Sequence, residues 1–173
     1  MASTHNSIPP STHDTGRRHA GRAQKDDIQD PYQTARKLHD PTLCPDCGAV
    51  YSDGRWQWAA APAAAEREAC PACRRIAEHF PAGIVTLTGP LVAVHGTEMI
   101  RLARNREEAE KAEHPLNRII AVDESGERIV ITTTDIFLPR RIGEALEHAF
   151  QGELKLNYDK DGYFIRVDWH RES

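Results

Sequence analysis

The 173-residue sequence predicts an α+β fold, a small cysteine module followed by a domain of βαββαβ(β) order. Three observations predict it. Four cysteines fall in two C-P-x-C pairs, Cys44/Cys47 and Cys70/Cys73. From residue 83 onward, β-branched runs of strand length alternate with two amphipathic stretches of helical period. Before residue 30, Ser, Thr, His, Pro, Gly and Arg mix without any apolar period. The expected organisation is therefore a tail over residues 1–29, a cysteine module over 30–80 and an α/β domain over 81–173.

The tail cannot bury enough apolar surface to offset its ordering entropy and is predicted to be disordered. Its basic stretch Gly16–Lys25 reads as a contact for an acidic partner or as plain solvated chain. His5, His13 and His19 read as spacer residues rather than metal ligands. Order is expected to begin near Asp30-Pro31-Tyr32, where the first aromatic side chain can anchor the chain.

In the cysteine module, each C-x-x-C turn brings two sulfurs to one side, and two such turns complete a closed tetrahedral donor set. Gly48 suits the left-handed turn after the first pair, and Pro45 and Pro71 pre-set the turns. Two close pairs in a chain without an apolar signal segment point to metal rather than disulfides. Cys44, Cys47, Cys70 and Cys73 are thus expected to hold one structural Zn2+, in a zinc ribbon or treble-clef-like module. A redox dithiol commonly has one C-x-x-C on a βαβ frame, absent here, and a catalytic zinc keeps a position open for water. Tyr51, Trp56 and Trp58 are placed to pack the intervening hairpin. Arg74 and Arg75 follow the second pair and read as phosphate contacts or as a solvated polar turn.

In the α/β domain, Gly83–Thr88 reads as a strand that can continue through Leu91–Val94. Thr97 is expected to cap a helix running to about Ala112, with Arg104/Glu108 and Glu107/Lys111 paired on its solvated face. Arg118–Val122 and Arg128–Thr134 form a hairpin. Thr134 or Asp135 then caps a second helix, whose apolar stripe is Leu138, Ile142, Ala145, Leu146 and Ala149. Glu153–Tyr158 and Tyr163–Trp169 close the chain as a hairpin. This order matches the split βαβ, ferredoxin-like plan with one extra terminal strand. Two helices would cover one sheet face and leave the other for a partner.

The formal net charge of −4 argues against coating nucleic acid through bulk charge, so any nucleic-acid contact has to be local. Arg140-Arg141, at the start of the second helix, oppose the helix dipole there. With Arg74 and Arg75 they make a candidate four-arginine surface for RNA or another partner, or two unrelated solvated pairs. No apolar run approaches the roughly 18 residues of a membrane span, so a soluble, cytoplasmic chain is expected. H-E-x-x-H, G-x-S-x-G and glycine-rich phosphate loops are missing, so no catalytic residues are assigned. Thr132–Asp135 is read as a strand end leading into a helix cap, and Asp159–Gly162 as a hairpin turn rather than a calcium loop.

The stretch from Asp30-Pro31-Tyr32 through CPDCGAVY, the Trp56 hairpin, CPACRRI and the terminal IRVDW resembles a family of uncharacterised bacterial zinc-knuckle proteins. That family is similar to the N-terminal half of the eukaryotic and archaeal large ribosomal subunit export adaptor. The resemblance covers roughly residues 30 to 171. This sequence has two knuckles where the adaptor has more cysteine pairs, and it is not expected to carry the adaptor's later domains and export signals. The resemblance implies a non-enzymatic RNA- or ribosome-associated adaptor. The alternatives are a protein-interaction module in transcription or stress response, and a hydrolase or nuclease built on His95 or the Thr132–Asp135 segment.

Overall fold

The computed structural model describes Asp30, Tyr32 and residues 37–172. The tail over 1–29, its histidines and its basic stretch lie outside the described residues. The chain order is β1 (Thr42–Leu43), β2 (Val50–Ser52), β3 (Arg55–Gln57), β4 (Glu66–Arg67) and α1 (Pro71–Glu78), then β5 (Gly83–Thr88), α2 (Pro90–Glu113), β6 (Ile119–Ser125), β7 (Arg128–Thr133), α3 (Phe137–Phe150), β8 (Glu153–Tyr158) and β9 (Ile165–His170). The first four strands form one sheet in the order β3-β2-β1-β4, and the rest form a second in the order β6-β7-β5-β9-β8. The protein is thus α+β with two mixed sheets.

In the second sheet, alternation decides which face is covered. Val85 and Leu87 on β5, Ile129 and Ile131 on β7, and Ile165, Val167 and Trp169 on β9 are fully buried. They meet Val92, Met99 and Ala103 of α2 and Leu138, Ile142 and Leu146 of α3. Both helices therefore lie on one face. The residues between the buried ones, Ile84 and Thr86 on β5 and Arg166 and Asp168 on β9, are half-buried or exposed on the other. Trp169 is buried with its indole N–H donated to Gln151 O at 2.7 Å, so the largest core side chain also satisfies its polar atom.

The position of the last strand departs from the sequence reading. A split βαβ plan with an added terminal strand leaves the strand after the second helix beside the first strand. Here β9 takes that place, parallel to β5, and β8 moves to the edge, antiparallel to β9. The apolar faces explain the exchange. Ile165, Val167 and Trp169 are wholly buried, whereas Leu156 and Tyr158 of β8 remain exposed. The more apolar strand occupies the interior position.

The first helix of this domain also starts earlier than expected. Gly89 is its N-cap at φ 115°, Pro90 occupies the first turn, and Leu91–Val94 is helix rather than strand. Buried Val92, Gly96, Met99, Ala103 and Glu107 form the 3–4 stripe. A Cβ on Gly89 would sit 2.1 Å from Arg171 O, so glycine is required by space as well as by φ. Within α2 the charge pairs are one residue closer than expected. Arg104 pairs with Glu107 and Lys111 with Glu108. Glu107 is buried, and its Oε1 accepts the Ile119 N–H at 2.7 Å at the head of β6. Asp135 does cap α3, its Oδ1 accepting from the N–H groups of Phe137 and Leu138. Among the described residues, no helix is long and apolar enough to cross a membrane.

Candidate metal centre

Local backbone chemistry brings the four sulfurs together. After β1, the chain turns tightly from Cys44 to Gly48. Gly48 N donates to Cys44 O, Cys44 N donates to Ala49 O, and Gly48 sits at φ 78°. The β2–β3 hairpin follows, with Tyr51 and Trp56 directly opposite each other and in edge-to-face contact at 5.7 Å. The second pair is not in another hairpin turn. Cys70 is the N-cap of α1, Pro71 takes the first turn, and Cys73 follows one turn on, its N–H directed at Cys70 Sγ at 3.4 Å. Cys70 N donates to Cys44 Sγ at 3.2 Å, which links the two pairs.

The four Sγ atoms lie within 4.8 Å of one another, and all four cysteines are free of disulfides. A tetrahedron of thiolates about 2.3 Å from a zinc ion has edges of about 3.8 Å, and Cys47 Sγ to Cys70 Sγ is 3.8 Å. The set fits one metal ion, with zinc suited by donor type and geometry. Cys44 and Cys70 are fully buried and Cys73 is nearly so. Trp56 and Leu116 pack against the cluster. Among the described residues no other group of His, Cys, Asp and Glu comes close enough to hold a metal.

Burial opposes ionisation of these thiols. It pushes Cys70 up strongly, and pushes Cys73 up to about 11 against the opposing pull of Arg118. At Cys44 burial also acts upward, but backbone N–H groups of Cys70, Cys47 and Asp46 outweigh it and bring the thiol to about 7. A divalent cation held by Cys44, Cys47, Cys70 and Cys73 would displace those protons and supply the charge that thiolates in this setting need.

Arg118 is a partner that the sequence reading took for an ordinary strand residue. It is buried, with Nη1 3.5 Å from Cys73 Sγ, Nη2 3.6 Å from Cys70 Sγ and Nε donating to Pro115 O at 2.7 Å. Its backbone N–H donates to Thr134 Oγ1, and that hydroxyl donates to Leu116 O. The guanidinium thus ties the sulfur cluster to the segment between α2 and β6. Burial disfavours its charge, but the neighbouring sulfurs outweigh this and hold it protonated. No local motif marks an arginine 45 residues from the nearer sulfur it touches.

The four arginines expected to face phosphate together are divided. Arg75 is buried, paired with Asp30, donating to Phe80 O at 3.0 Å and stacked 4.3 Å over the Tyr32 ring. Arg74 donates to Tyr32 O at 2.9 Å. Tyr32 is itself buried, with its hydroxyl donated to Glu78. This pair therefore fastens the chain entering the module onto α1, and a single four-arginine surface is corrected on that ground. Arg140 and Arg141 are exposed, paired with Glu144 at 2.6 Å and Glu110 at 3.5 Å respectively. They line a cleft of about 730 Å³ between the β2–β3 hairpin and the start of α3, together with Arg55, Tyr51, Trp56, Phe137 and Tyr158. Residues 114–117, just before Arg118, form its wall.

The other constellations serve the fold. Thr133 Oγ1 bonds Gly83 O and Asp135 O, and His95 pairs with Glu98 on α2. Asp159 Oδ1 accepts the N–H groups of Tyr163 and Phe164, which closes the β8–β9 turn.

The fold and centre define an α+β protein with a cluster of four cysteines that could hold one metal ion. No protein-family model, curated protein or solved structure matches the chain.

Proposed function

We propose that the chain is a non-enzymatic zinc protein that associates with RNA, including the RNA surface of the ribosome. The observation that carries this reading is the closed four-sulfur centre set beside a cleft lined by arginines and aromatic rings. Cys44, Cys47, Cys70 and Cys73 would hold one zinc ion in a treble-clef-like module of knuckle, hairpin and helix. The ion's contribution is structural cross-linking, because four thiolates leave no position for substrate or water. Arg118 offsets part of the thiolate charge and joins the module to the α/β domain. The resemblance of the knuckles and the terminal IRVDW to the ribosomal export adaptor supports the same reading.

Two measurements test it. Elemental analysis of freshly purified, reduced protein should give one zinc per chain. The protein should co-sediment with ribosomes or ribosomal RNA at low salt and dissociate steeply as salt rises, since phosphate contacts release counterions. A metal content near zero refutes the zinc centre. Absence of co-sedimentation at low salt refutes the RNA role and leaves a protein-interaction module as the better account.

A further inference from the structure

We propose that the cleft between the β2–β3 hairpin and the start of α3 binds single-stranded RNA, stacking bases on its rings and pairing phosphates with Arg55, Arg140 and Arg141. This rests on the RNA reading above and assigns it a place and a strand type.

The cleft volume of about 730 Å³ is within the range of sites that enclose a ligand. Its rings are where a binding surface would put them. Phe137 is 64% exposed at the start of α3 and Tyr158 is 50% exposed at the end of the edge strand β8. Trp56 and Tyr51 face the same space from the zinc module. Four aromatic rings around one concavity, with two of them this open to water, form a stacking platform for unpaired bases.

The charges select the partner. Three arginines and one carboxylate, Glu110, line the cleft of a chain whose net charge is −4. Arg140 and Arg141 stand in the first turn of α3, where the helix dipole disfavours cations. Glu144 pairs with Arg140 and half-buried Glu110 pairs with Arg141. A phosphate offers a guanidinium two terminal oxygens, as a carboxylate does, and can exchange with either one. Arg55 is exposed and has no acidic partner among the described residues. An apolar peptide would leave these cations without a role. A duplex keeps its base faces stacked inside and cannot use the rings.

The test is fluorescence anisotropy with a labelled oligouridine of roughly 12 nucleotides, run beside a duplex RNA of the same length. Two double variants are compared with the parent, Phe137→Ala with Tyr158→Ala, and Arg140→Ala with Arg141→Ala. All four side chains are exposed, and zinc content with circular dichroism checks that each variant is folded. The single strand should bind at least roughly tenfold more tightly than the duplex, and loss of the two rings should weaken it tenfold or more. Loss of the two arginines should flatten the slope of log affinity against log salt by about 1.4. If the parent binds no RNA at low salt, the RNA reading falls and this assignment with it. If the parent binds RNA but the duplex binds equally well, or folded ring variants bind as the parent does, the cleft assignment alone is overturned.

Discussion

Replacing Arg118 by Met tests whether the metal centre extends beyond its four sulfurs. Met keeps much of the length and apolar volume of the buried stem but removes the charge and the donors. Three contacts are lost, to Cys73 Sγ at 3.5 Å, Cys70 Sγ at 3.6 Å and Pro115 O at 2.7 Å. Partners that bond metal ligands from outside commonly tune affinity by about 10–100-fold, or about 1.4–2.7 kcal/mol. Breaking a buried charge pair costs about 3–5 kcal/mol of stability. The sulfur contacts are long, so the lower end of each range is expected, a zinc affinity reduced about tenfold and a stability loss of about 3 kcal/mol. Competition against a chromophoric chelator measures the first and denaturant unfolding of the zinc-loaded protein the second. Arg118→Lys should recover only part of the loss, because a single ammonium cannot span two sulfurs and a carbonyl together. If Arg118→Met holds zinc within about threefold of the parent, the guanidinium is a packing residue and its support of the centre is refuted.

Two further outcomes follow from the same structure. Cys73→Ser should release the metal and expose the β2–β3 hairpin to protease, since Trp56 packs on the cluster that the metal would close; unchanged metal content and proteolysis would contradict it. Asp135 is raised from 3.8 to about 6, chiefly by burial, with Glu110 adding to the rise and the α3 N–H groups and His114 opposing it, and its Oδ2 lacks a hydrogen-bond partner. A raised folded-state value means that its contribution is fully present below about pH 4 and is lost as pH rises through 6, at a cost of about 2–3 kcal/mol. Asp135→Asn keeps a capping oxygen and should remove this part of the pH dependence, read by denaturant unfolding at pH 4 and pH 7; an unaltered difference between the two would refute the assignment.

How much of this was legible in the sequence depended on whether the signal was local. The four-sulfur cluster was, because C-x-x-C spacing alone fixes how two sulfurs sit. The stripe of β9 and that of α3 from Leu138 to Leu146 were also legible, since alternation and helical period survive without tertiary knowledge. Ala149, expected to extend the α3 stripe, is exposed. The Gly89-Pro90 junction misled because Leu91–Val94 satisfies a strand pattern, while its role as the start of α2 rests on Pro90 in the first turn and on contacts of Val92 with the distant sheet. Strand order in the second sheet was hidden for a similar reason. Both β8 and β9 alternate apolar and polar residues, and only the comparative burial of the two places β9 inside.

Arg74 and Arg75 show the opposite failure, a local pattern whose meaning is set elsewhere. A pair of arginines after a zinc knuckle looks like a phosphate contact, yet Asp30 and Tyr32 arrive from more than 40 residues upstream to occupy them. The basic surface is displaced to the cleft, where Arg55 comes from the first sheet and Arg140 and Arg141 from α3. Neither module alone makes that surface. Its wall, residues 114–117, ends at Arg118, whose side chain is fastened to Cys70 and Cys73, and Trp58 Nε1 donates to Lys111 O at 2.6 Å, a second tie between the cysteine module and α2. The four-sulfur centre can therefore set the geometry of the cleft from outside it, because its sulfurs hold the residue that ends the cleft wall. Zinc would act on the proposed RNA cleft through Arg118 rather than by contact, so Arg118→Met should weaken oligouridine binding even where zinc is supplied in excess.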